Sequence, residues 1–93
     1  MNSFIYSVWF LNSEALEEDQ DREWVACIAI AAASAEEAQQ WGDVLAHERG
    51  RRVPTDTFVS SSVELESDGP TPATSILPRI RVGEKARDAL IGW

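Results

Sequence analysis

The chain has 93 residues, room for one domain, and 44% of them are apolar, too many for a disordered chain and ordinary for one that folds around a core. Sixteen acids against eight bases leave a net charge of −8, which argues against a general nucleic-acid binder, while one cysteine and one histidine exclude an internal disulfide framework and a Cys/His metal cluster. No apolar run approaches the roughly 20 residues of a membrane span and no basic-then-apolar leader opens the sequence, so a cytoplasmic protein with neither cofactor nor metal is expected.

A first strand is predicted over residues 3–11. Phe4, Tyr6, Val8 and Phe10 fall on one face, and Ile5, Ser7, Trp9 and Leu11 on the other. Both faces are mostly apolar, more than a sheet with one side in water requires. Residues 12–23 make a polar, acidic connection. A second strand follows over 24–32, with Trp24, Ala26, Ile28 and Ile30 on a mainly large face and Val25, Cys27, Ala29 and Ala31 on a small one. A surface of small side chains admits a close neighbour, either a packed helix or a second subunit. Cys27 reads as a small core residue.

The clearest local signal is Ser34 followed by Glu37, the spacing of a capping box at a helix start. Glu36 and Glu37 also suit the positive end of the helix dipole. On a helical wheel Ala38, Trp41, Gly42 and Leu45 share the buried side, and Glu36, Gln40, Asp43 and His47 the wet one. Gly50 is the natural stop, near residues 49–50.

A third strand over 57–66 alternates Val59, Val63 and Leu65 with Ser60, Ser62, Glu64 and Glu66, and is therefore half-exposed. Residues 67–78 form a Pro/Ser/Thr-rich loop, tightest at Asp68-Gly69-Pro70. Ile80 and Val82, set against Arg79 and Arg81, give a short fourth strand, and Ala86, Ala89 and Leu90 mark a second helix over 84–91.

The chain thus reads as a single compact domain, residues 1–93, of α+β class in the order β-β-α-β-β-α. The first two strands pair antiparallel, and the helical crossover makes the second and third a parallel pair. Two helices then lie on one face of a mixed four-stranded sheet, an arrangement that resembles a circularly permuted ferredoxin-like sandwich. The opposite sheet face, apolar and uncovered, is left for a partner or a second copy.

Charge is more informative than any motif. Residues 1–48 hold ten acids and one base, residues 49–93 six acids and seven bases. Glu14, Glu17, Glu18, Asp19, Asp21 and Glu23 crowd into one segment, an acidic surface that would steer a basic protein partner in a salt-dependent way. Asp19, Asp21 and Glu23 share the alternate spacing that opens a calcium loop, but Trp24 stands where that loop needs glycine and Ile30 where it needs glutamate. Arg49, Arg51 and Arg52 are a candidate anion patch, although basic residues suit a helix end regardless. Asp43, His47 and Ser60 to Ser62 supply the residue types of a catalytic triad. The wheel puts the Asp–His pair in water, away from any buried orienting carboxylate.

The apolar strand from Trp24 entering Ala-Ser-Ala-Glu-Glu-Ala and running to Leu45 resembles many small bacterial α/β domains. In size and acidity the chain is also similar to immunity proteins and to small phage-encoded inhibitors such as anti-CRISPR proteins, a resemblance of class that assigns no residue a role. The expected function is a small acidic protein-binding module, a non-enzymatic inhibitor or accessory subunit that engages a basic protein surface without contacting nucleic acid or membrane. The alternative is a homodimeric ferredoxin-like domain, joined through the uncovered sheet face, that binds a small ligand in an inter-subunit cleft.

Overall fold

The computed structural model describes residues 2–13, 22–66 and 77–85. Strands β1 (Asn2–Asn12) and β2 (Glu23–Ala32) lead to helix α1 (Ala35–Arg52), then to strands β3 (Asp56–Leu65) and β4 (Arg79–Arg81). The strands form one mixed sheet in the order β3-β1-β2-β4. β1 runs antiparallel to both β2 and β3, and β4 is parallel to β2. β2 and β3 do run in the same direction, as the crossover through α1 requires, but β1 lies between them. The adjacent parallel pair is β2 with β4. The two strands that are apolar on both faces, β1 and β2, are the two interior strands of the sheet.

The antiparallel register sets Phe4 against Ile30, Tyr6 against Ile28, Val8 against Ala26 and Phe10 against Trp24. All of these but Trp24 form the core with Ala38, Leu45 and Ala46 of α1 and Ile80 of β4, and Tyr6, Val8, Phe10, Ile28 and Ile30 are its largest fully buried members. α1 therefore covers the large-residue face of β2, not the small one. Burial stabilises in proportion to the apolar area removed from water, and the large face offers more of it. Trp24, Trp41, Phe58 and Val63 are partly buried against the core.

Ser34 caps α1 as expected, its Oγ accepting from the Glu37 amide at 3.2 Å. The Glu37 carboxylate reaches back one residue further than the usual box, accepting from the Ala33 amide at 3.3 Å. The helix passes through Gly50 and ends at Arg52, with the Val53 amide donating to the Arg49 carbonyl at 2.8 Å. Pro54 stops it instead, because the residue before a proline is driven out of the helical region.

At β3 the strict alternation fails. A register shift between Trp9 and Phe10 sets Phe58 opposite Phe10 and leaves Val59 as the extra residue of a β-bulge. Phe58 packs on the core while Val59 is exposed. The second expected helix is not supported at its start: Glu84 and Lys85 are not helical, and residues 86–91 lie outside the described ones, among which α1 is the one helix. The α+β class and the mixed four-stranded sheet hold; the two-helix ferredoxin-like permutation does not follow from them.

Candidate functional site

Gly42 sets the geometry of the first polar cluster. A Cβ there would lie 2.6 Å from Tyr6 Cζ, so only glycine lets α1 settle directly on the phenol ring. Asp43, the next residue, is thereby brought to the ring's hydroxyl. Tyr6 donates to Asp43 Oδ1 at 2.7 Å, and Ser61 Oγ donates to the same oxygen at 2.6 Å. Gln39 Nε2 donates to both the hydroxyl and the carbonyl of Ser61, at 3.2 and 3.3 Å. One half-buried network thus ties α1 to β1 and β3.

Asp43 is therefore not on the wet side of α1, because its side chain turns inward to two hydroxyl donors. His47 is exposed and stacks on Phe58 with ring centroids 4.5 Å apart. Of the triad residue types, Ser61 and Asp43 meet directly and the imidazole does not stand between them. A serine bonded to a carboxylate, without an intervening base, is a structural hydrogen bond and not an activated nucleophile. Burial, and then the Asp43 carboxylate, push the Tyr6 phenol far above its ordinary range.

A folded pKa raised above the unfolded value contributes stability that is complete below about pH 10 and lost as pH rises beyond it. Tyr6 is the one tyrosine of the chain. Tyrosinate absorbance is therefore expected to appear only together with unfolding, as followed by circular dichroism. Ionisation of the native protein near the ordinary tyrosine range would contradict the buried network.

The second cluster overturns part of the basic patch. Arg49 Nη1 donates to Asp56 Oδ2 at 2.8 Å, and both residues are buried. Trp24 Nε1 donates to the other carboxylate oxygen at 3.3 Å. The guanidinium lies 5.4 Å from the centroid of Phe10 and 5.1 Å from that of Trp24, close enough for cation–π attraction to both. Arg49 is thus unavailable to an outside anion, and only Arg51 and Arg52 of the three are exposed.

Of the acidic set, Glu23 is exposed at the start of β2, opposite Leu11. Glu14, Glu17, Glu18, Asp19 and Asp21 lie outside the described residues, and with them the calcium-like spacing. Elsewhere three more of the described bases are spent on the chain's own acids. Arg79 grips Glu66 with both Nη atoms at 2.9 and 3.0 Å, Lys85 meets Glu48 at 3.4 Å and Arg81 meets Glu84 at 3.6 Å. Glu23, Glu36, Glu37 and Glu64 are exposed and have no ion-pair partner among the described residues.

The sheet face turned away from α1 carries Ile5, Trp9 and Leu11, all half-buried, with Val25 half-exposed. Cys27 belongs to this face and not to the core beneath α1, with its Sγ 3.3 Å from Ser7 Oγ. Among the described residues no group of three or more His, Cys, Asp or Glu side chains is placed to hold a metal ion, and no helix is long and apolar enough to cross a membrane. The chain matches no family model, no curated protein and no solved structure.

The sequence missed Ser61, Gln39 and Tyr6 as partners of Asp43. The single available signal was glycine at position 42, beside an acid, in the middle of an otherwise well-formed helix.

Proposed function

We propose that the chain is a small acidic protein-binding module, an inhibitor or accessory subunit that engages a basic surface of another protein. The carrying observation is the fate of the charges: four of the seven described bases pair with the chain's own acids, while Glu23, Glu36, Glu37 and Glu64 are exposed with no ion-pair partner among the described residues. Asp43 and Arg49, the charged groups with the most built surroundings, are held in bonds that tie helix to sheet. What remains for recognition is the acidic exterior. Exposed acids attract a basic partner over a Debye length and raise its association rate. The second helix of a permuted ferredoxin-like sandwich, beginning after Lys85 and running over residues 86–91, is part of the same proposal.

The test is capture of a partner followed by titration of the purified pair. Glu17, Glu18, Asp19 and Asp21 replaced together by serine are expected to weaken binding, by a factor that shrinks as salt rises toward about 0.5 M. Binding that is unchanged by the quadruple replacement and insensitive to salt would refute the acidic module.

A further inference from the structure

We propose that the groove between α1 and the turn following β4 receives a bulky apolar side chain from a basic, amphipathic segment of the partner protein; this rests on the acidic-module reading and specifies where and what it binds. The groove has a volume of ≈ 390 Å³ and is lined by Glu37, Gln40, Trp41, Val44 and Val82. Val44 and Val82 are 43% and 42% exposed, two large apolar residues that line the same groove. Glu37, Trp41 and Val44 follow helical spacing, so they form one stripe along α1.

The wall is pre-positioned. Trp41 Nε1 donates to the Glu84 carbonyl at 3.1 Å, which fixes the indole against the turn. That turn is closed by the Glu84 amide on the Arg81 carbonyl at 2.9 Å, with Gly83 at φ +88°. A side chain entering such a groove has little further ordering to impose on it. An apolar anchor in a preformed groove, held within a charged rim, is the arrangement in which few residues carry most of the affinity.

The rim selects the occupant. Glu37 lines the groove and Glu36 lies beside it, and neither has an ion-pair partner among the described residues. Glu48 and Glu84 are already held by Lys85 and Arg81. The charge left unpaired at the groove is therefore negative among the described residues. A basic segment is attracted, an acidic one is repelled, and a second copy of this chain would bring two acidic rims together.

The experiment titrates the full chain with a synthetic leucine–lysine amphipathic peptide, and with its leucine–glutamate counterpart, while backbone amides and the Trp41 indole are followed by NMR. The lysine peptide is expected to shift Trp41, Val44 and Val82, and the glutamate peptide to leave them in place. Val44→Asp is expected to weaken the lysine peptide about ten-fold or more by spoiling the apolar seat. Mere attraction between opposite charges predicts the reverse, since the variant adds an acid, so unchanged or tighter binding overturns the inference. Shifts centred on Ile5, Trp9 and Val25 overturn it as well, as do shifts at the groove that appear on concentrating the protein alone.

The quadruple serine variant separates this inference from the reading beneath it. If that variant loses the peptide while Val44→Asp keeps it, the groove falls and the acidic module stands. If both variants bind as the parent does, both fall.

Discussion

Replacing Asp56 with alanine is expected to destabilise the fold by about 3–5 kcal/mol, a large share of the ~5–15 kcal/mol that holds a small domain together. The reason is the partner left behind. The Arg49 guanidinium is enclosed by Phe10, Trp24 and the start of β3. Removing the carboxylate strands a guanidinium in a low-dielectric site and deprives Trp24 Nε1 of its acceptor. Replacing both residues by apolar ones, as in Arg49→Met with Asp56→Leu, is expected to recover most of the loss, because a buried pair and a well-packed apolar pair differ little in net stability. Urea unfolding followed by tryptophan fluorescence measures both variants. A cost below about 1 kcal/mol for Asp56→Ala would mean that water reaches the pair, as it does at surface bridges.

Gly42→Ala is the second strong test, because local and tertiary effects oppose each other. In an exposed helix interior alanine is preferred to glycine by roughly 1 kcal/mol. Here the new methyl would meet the Tyr6 ring, and the variant is expected to lose about 1–3 kcal/mol. The sign reports whether α1 sits on the sheet as described. The atoms in conflict belong to the ring and not to its hydroxyl, so Tyr6→Phe should give no relief. Tyr6→Leu should remove the penalty and let alanine's propensity show. A stabilising Gly42→Ala in the parent would mean that the helix does not approach this closely.

These two positions also mark where a reading of the sequence reaches its limit. The helix start was legible because Ser34 and Glu37 act within one turn, through bonds that depend only on local geometry. The faces of β1 were legible because side chains alternate along any strand. Val59 was misplaced because a bulge breaks that alternation by one residue, and nothing local to β3 announces it. Asp43 was placed in water because a helical wheel sorts residues by angle and knows nothing of a glycine that lowers the helix onto a ring.

Arg49 shows the same limit for the site. As sequence it is one of three basic residues at a helix end, equivalent to Arg51 and Arg52. Only the return of the chain at β3, seven residues later, delivers Asp56 to it and seals the pair against Phe10 and Trp24. The groove at Trp41 was likewise out of reach, since Val82 comes from the far side of residues 67–76 and meets α1 only in the folded chain.

By itself, then, the sequence determined what depends on near neighbours and on sums: the α+β class, the paired first strands, the capped helix, the excess of acid. The tertiary structure decided which strand runs beside which, which face α1 covers, and which charged side chains are spent inside the fold. Those outcomes depend on contacts between residues far apart in the chain, where a glycine's missing methyl or a one-residue bulge redirects every side chain that follows.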